Sequence, residues 1–220
     1  MAISKFNLKP DQRAERKLLV HVIEWQAEDG KSYVLQDSEP LDWDTNYTAY
    51  YTESSGSYTP VTGGSAPTWT TGTYYTRVNR TILGTRTPDS SIEYNADIET
   101  STDIRGFNYT DVNKTQPSQS FDPHLILGGD KFGEKLNDIR KRNAITELSQ
   151  FTVYVITAFV GDSSSGYEAE RHVNCTVSYD SFGGESNVNF PFTVNYSNIL
   201  TNGTVDKLSE DFTFTADVNL

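Results

Sequence analysis

Glu168 and Glu170 lie two residues apart with Arg171 beside them, and two neighbouring carboxylates can perform general acid–base work. They come just ahead of an alternating strand pattern, where such residues more often form a solvated rim with a surface ion pair. His21, His124 and His172 are scattered, and none has a second His or Cys at ligand spacing, so a metal site is not expected. Gly128-Gly129 precedes a helix and has the composition of an anion cradle, yet Asp130 follows directly and would repel the anion. A plain turn is the expectation there. Cys175 is the sole cysteine; it lies on an apolar strand face and reads as a packed core thiol rather than a nucleophile. With no G-x-S-x-G, phosphate loop or H-E-x-x-H pattern either, the sequence reads as a non-enzyme with no cofactor.

Aromatic residues offer a different chemistry. Segment 42–77 holds eight aromatics and ten threonines, and Tyr50-Tyr51-Thr52 is echoed by Tyr74-Tyr75-Thr76. Exposed Trp and Tyr rings stack on sugars, which makes Trp43, Tyr51, Trp69 and Tyr75 candidates for glycan or partner contact. The favoured reading makes these rings the core of a small β-module, or its seat on a neighbouring subunit. Thr and Tyr favour strands and the intervening Gly and Pro mark turns, so 37–76 is expected to be an inserted aromatic β-module.

The charge pattern bounds the partners. The chain of 220 residues has 30 acidic and 18 basic side chains, a formal charge of -12. That balance disfavours general binding to nucleic acids or anionic membranes. From His172 to Asp206 there are 35 residues without Lys or Arg. Basic residues gather instead in an N-terminal arm, residues 1–17, with Lys5, Lys9, Arg13, Arg16 and Lys17. No apolar run approaches a membrane span, and the N-terminus shows no apolar signal core. Seven Asn-x-Ser/Thr triplets are read as composition rather than glycosylation, and the single cysteine fits a reducing cytosol. A hydrophobic content of 35% suits thin β layers that finish burying themselves in an assembly.

The expected elements are mostly strands. Leu18 to Trp25 and Tyr33 to Gln36 read as a hairpin about a turn at Glu28-Asp29-Gly30. Period-two alternation marks 92–99, 173–180, 188–196 and 212–218, with Pro191 signalling an edge or a bulge. Another strand is expected near Phe107, and Phe151 to Val160 is apolar on both faces, as a covered central strand requires. One helix is expected from Lys131 to Arg142, where Phe132, Leu136 and Ile139 share a face and Arg140, Lys141 and Arg142 crowd the end.

Three stretches together resemble the tail tube, or major tail, proteins of long-tailed bacteriophages: SSIEYNADIETSTDIRGFN (90–108), GGDKFGEKLNDIRKRN (128–143) and GYEAERHVNCTVSYDSFGGE (166–185). They occur in the family's order, along with the opening AERKLLVHV strand. The resemblance implies a mainly β fold, a β-sandwich or split barrel with one flanking helix, formed by 1–36 and 77–220 around the inserted module. It implies hexameric rings stacked into a tube, and contacts with the tape measure, tail terminator and baseplate or tip proteins. The protein would reside in the virion tail after assembly in the bacterial cytoplasm. DNA would pass through without sticking, since a lumen free of cations offers phosphates no counterion-releasing contact. Glu93, Asp97, Glu99 and Asp180 are the lumen candidates on that view, and Arg13, Arg16, Arg140 and Arg142 the subunit-interface candidates. The rival reading is a carbohydrate- or cell-wall-binding β-sandwich that uses the aromatic insert.

Overall fold

The structure is a computed structural model that describes residues 6–217 except 28, 29, 31, 37, 38, 41, 42, 85, 86, 88 and 89. The protein is mainly β. Its strands are β1 (Leu19–Gln26), β2 (Ser32–Leu35), β3 (Tyr50–Ser54), β4 (Ser57–Pro60), β5 (Tyr74–Ile82), β6 (Ile92–Glu93) and β7 (Asp97–Thr102). After these come β8 (Asn108–Lys114), β9 (Ser118–Phe121), β10 (Phe151–Asp162), β11 (Gly166–Tyr179), β12 (Phe192–Asn195), β13 (Leu200–Val205) and β14 (Phe214–Ala216). The helices are α1 (Trp43–Asn46), a single turn, and α2 (Lys131–Arg142). The chain divides into two compact units, one of residues 1–23 and 81–220, the other Glu24–Arg80.

In the first unit β10 runs between β1 and β11. Strand β11 is long enough to serve two partners in turn: Tyr167–His172 pair with β13, and Thr176–Tyr179 pair with β12. The handover falls at Asn174, whose φ of 58° is left-handed, a conformation that Asn tolerates better than most residues. The division creates two cores. Val22, Tyr154, Ile156, Ala169, Val205 and Phe212 form one. The other is aromatic: Phe132 of α2 meets Phe151 and Phe192 edge-on, and Phe192 stacks on Phe121 with centroids 4.9 Å apart. Helix α2 has the expected bounds. Phe132, Leu136 and Ile139 are fully buried on one face, the Asp130 carboxylate accepts from the Gly133 N–H, and Asn143 closes the helix in a left-handed conformation.

Several strand expectations are corrected. The 92–99 strand is broken at Asn95, which has a φ of 45°. Its side-chain amide donates to the Glu93 and Gln116 carbonyls and to the Ser118 hydroxyl, so β6 ends there and β7 turns away to pair with β8 alone. The 188–196 pattern shortens to β12, because Pro191 has no N–H for a ladder; Val188 is exposed, while Asn189 makes only isolated bridges. Of 212–218, β14 takes 214–216, Phe212 enters the core, and Val218 lies outside the described residues. Strand β13 carries no such signal in the sequence, since Leu200-Thr-Asn-Gly-Thr-Val205 shows no apolar alternation.

In the unit Glu24–Arg80, β1 and β2 do not form a hairpin. The Ala27 N–H donates to the Arg77 carbonyl of β5, and the Gln36 N–H donates to the Tyr74 carbonyl. Carbonyls three residues apart on a strand point to opposite edges, so β1 and β2 flank β5 instead. Gly30 makes the crossing: a Cβ there would stand 2.6 Å from the Val78 backbone. The expected turn residues Glu28 and Asp29 lie outside the described residues. The echoed tripeptides turn out to be hydrogen-bonded neighbours, with Tyr50 opposite Thr76, Tyr51 opposite Tyr75 and Thr52 opposite Tyr74.

Candidate functional site

The most exposed element of the first unit is the β7–β8 hairpin. Its strands pair only with each other, and between Asp97 and Lys114 every residue but Ser101 is exposed. Cross-strand register sorts its side chains cleanly. Ile98 opposes Val112, Thr100 opposes Thr110, and Thr102 opposes Asn108, giving one face without charge. The Thr100 and Thr110 hydroxyls lie 3.2 Å apart, and the Thr102 hydroxyl donates to the Asn108 side chain at 2.7 Å. The other face carries Glu99 opposite Asp111 and Ser101 opposite Tyr109. At the tip, the Asp103 carboxylate accepts from the Arg105 and Phe107 N–H groups, and Gly106 supplies the left-handed turn position. Ile98 and Val112 are 60% and 61% exposed and Phe107 67%. The hairpin therefore holds a set of apolar side chains in water.

Of the four lumen candidates, Asp97 and Glu99 share this hairpin, joined by Asp111, which the strand-by-strand reading missed. Glu93 lies on β6 before the Asn95 break, and Asp180 is exposed just after β11, its N–H donating to the Pro191 carbonyl. The cation-free description fails for the hairpin as a whole: Lys114 stands opposite Asp97, and Arg105 is at the tip. A single-strand reading does not see the partner strand.

The basic candidates are mostly committed within the chain. Arg16 donates to the Leu19 and Ser90 carbonyls. The Arg140 guanidinium stands 4.5 Å from the Phe182 ring centroid and donates to Asn137. Arg142 pairs with Asp138 and Glu147, and Lys135 reaches Glu147 at 2.6 Å. Hydrogen bonds from Arg142 and Lys135 outweigh burial and hold the Glu147 carboxyl down at about 2. Arg13 is exposed on the arm, while Lys5 lies outside the described residues.

The remaining candidates resolve as structural groups. Glu168 and Glu170 sit inside β11 rather than ahead of it, with Glu170 3.4 Å from the His172 Nε2. Gly129 takes the left-handed turn position, and the Asp130 carboxylate lies 3.0 Å from His124. Burial opposes the charged form of Asp130, but His124 and the Gly133 N–H hold its carboxyl below the ordinary range. Cys175 is buried, and desolvation pushes its thiol up to about 11, far from nucleophilic character. Among the described residues no three His, Cys, Asp or Glu side chains are grouped as a metal site would need.

In the aromatic unit the four ring candidates separate onto opposite faces of one sheet. Trp43 is 2% exposed; it packs against Tyr50, Tyr74 and Trp69, and its indole N–H donates to the Pro67 carbonyl at 2.9 Å. This is a core residue with no ring face left for a ligand, which corrects its candidacy as a contact. Trp69 is partly exposed at the margin of that core. Tyr51 and Tyr75, by contrast, lie opposite each other on the reverse face. The sequence matches no protein-family model and no curated protein.

Proposed function

We propose that this chain is a structural subunit of a phage or phage-like tail tube, assembling into stacked hexameric rings through which DNA passes. The observation that carries the reading is the β7–β8 hairpin. A two-stranded hairpin is marginal in water without a covering layer, and this one holds Ile98, Val112, Phe107 and Tyr109 outward. A second copy of the chain covers the uncharged Ile98–Val112 face, and the acidic Glu99–Asp111 face turns to the bore. The resemblance of 90–108 to the tube family falls on this same segment, and the mainly β fold with one flanking helix agrees with it. In the tube, phosphates meet the Glu99–Asp111 carboxylates and gain little counterion release there, the hairpin's cations being Lys114 opposite Asp97 and Arg105 at the tip. Tape measure, terminator and baseplate or tip proteins meet the ends of the stack.

Negative-stain microscopy and sedimentation velocity of the purified chain test the proposal. Rings or tubes are expected. A monodisperse monomer at high concentration, in several buffers, overturns it.

A further inference from the structure

The β7–β8 hairpin leaves the body of its unit through two short legs, 94–96 and 115–117. Among the described residues its strands pair with no other element, so its direction is set at this base. Asn95 sits there in a left-handed conformation, with a φ of 45°, and its side-chain amide ties the legs together. It donates to the Glu93 carbonyl on its own leg, and at 2.9 Å both to the Gln116 carbonyl on the other leg and to the Ser118 hydroxyl of β9. One backbone bond also joins the legs, from the Gln116 N–H to the Tyr94 carbonyl at 3.0 Å. Below this point the chain is pinned: the Tyr196 N–H donates to the Pro117 carbonyl, and Ser118 pairs with Asn195. Above it, a register shift between Asp97 and Ile98 bends the ribbon. To one side, residues 114–117 and 195–198 line an open cleft of about 380 Å³, so no packed core braces the base there.

We propose that Asn95 is a latch: β7–β8 turns as a rigid arm about residues 94–97 and 114–116, and the Asn95 amide holds it in the direction seen here. Three features carry this. The bonds that fix the direction are few, and those of Asn95 are exposed, so water replaces them when they open. Asn combines the two properties the position needs, tolerance of a positive φ and a side-chain amide with two N–H donors. The arm is also long for its base. Six residues of strand span about 20 Å, so a turn of about 15° at the legs carries the tip about 5 Å. Because Ile98 and Val112 ride on the arm, the latch sets where that apolar face points. Its use as a control on ring assembly rests on the tube reading; the latch itself does not.

Nitroxide labels at Arg105→Cys on the tip and Lys141→Cys on α2 report the arm's direction by pulsed electron resonance in the full-length chain; the native Cys175 is buried. With Asn95 in place, a single narrow distance distribution is expected. Asn95→Gly keeps the left-handed backbone without the amide, and Asn95→Asp keeps the side-chain shape without its N–H donors. Each is expected to broaden the distribution or move its centre by about 5 Å, while the β7–β8 amides exchange within about threefold of the wild-type rate. Either variant with the wild-type distribution overturns the proposal. Loss of amide protection along β7–β8 in either variant overturns it too, since Asn95 would then build the hairpin rather than aim it. Micrographs of the unlabelled chain report on the tube separately. Monomers there leave the distances to decide the latch, and tubes with unchanged distances overturn the latch alone.

Discussion

Glu99 stands directly opposite Asp111 across the β7–β8 hairpin, both side chains exposed on the same face. Like charges in directly opposed positions destabilise a strand pair, and the Asn113 amide, which donates to Glu99 at 3.2 Å, is a neutral partner that offsets little of this. An element that carries such a conflict on one face and bare Ile98 and Val112 on the other is suited to an assembly rather than to an isolated chain. Replacing Asp111 by Lys converts the conflict into an attractive pair. The hairpin amides are expected to gain protection from hydrogen exchange by about 0.2–1 kcal/mol. In a virion, the tube reading predicts slowed DNA ejection for Asp111→Lys, and for Asp97→Lys with Glu99→Lys, with assembly retained. Ejection at the wild-type rate would show that the acidic face does not line the channel.

Trp43 holds the aromatic unit together. Its ring touches Tyr50, Trp69 and Tyr74, and truncating a buried tryptophan costs about 3–5 kcal/mol. Trp43→Ala is expected to melt residues 24–80 at lower temperature while the Tyr154–Phe212 core keeps its own transition. Near-ultraviolet circular dichroism and residue-resolved hydrogen exchange distinguish the two. A single, equally shifted transition in both units would refute independent melting.

Legibility in the sequence followed the range of the interaction. Helix α2 was read to its bounds because its signals are local: a capping Asp130, a three-residue apolar face and a basic final turn. Strand β10 announced itself through apolar residues on both faces. Alternation alone misjudged 92–99, because the side-chain bonds of Asn95 reach to Gln116 and Ser118, more than twenty residues away. It also missed β13, which is held by its pairing with β11 and β14 and puts Val205 into the core without an alternating apolar pattern. The site was half visible for the same reason. Asp97 and Glu99 stood out, whereas Asp111 and Lys114 gain meaning only once β8 pairs with β7. The Tyr50 and Tyr74 echo marked two strands, but whether a ring faces the core or the solvent depends on which residue is opposite.

Glu24 and Arg80 form a buried ion pair at 2.6 Å, with both side chains 5% exposed. Removing one partner takes a buried charged contact from the other in a low-dielectric site, at a cost of about 3–5 kcal/mol. Arg80→Ala and Glu24→Ala are each expected to destabilise the aromatic unit by that order in urea titrations. The pair Glu24→Leu with Arg80→Met is expected to recover most of the loss, since an apolar pair of similar volume removes both charges together. Additive losses in the double variant would mean that packing, rather than the charged contact, sets the cost.

His21 gives the clearest pH dependence. It is 2% exposed on β1 beside Phe121, and its buried Nε2 has no hydrogen-bond partner among the described residues. Burial first, and the nearby Arg16 charge second, lower its pKa from 6.5 to about 3. The folded state thus holds His21 neutral in a range where the unfolded chain takes up a proton. The contribution is fully present above pH 6.5 and is lost progressively as pH falls through that value toward about 3. At 1.36 kcal/mol per pKa unit, the loss reaches about 3 kcal/mol by pH 4. His21→Leu removes the titrating group while keeping an apolar filling. Its stability, measured by urea unfolding at intervals from pH 8 to pH 4, is expected to decline less steeply than that of the wild type, with the curves diverging below about pH 6.5. Parallel curves over that range would mean that His21 is protonated in the folded protein, and that the β1 core admits charge and water which its packing shows no room for.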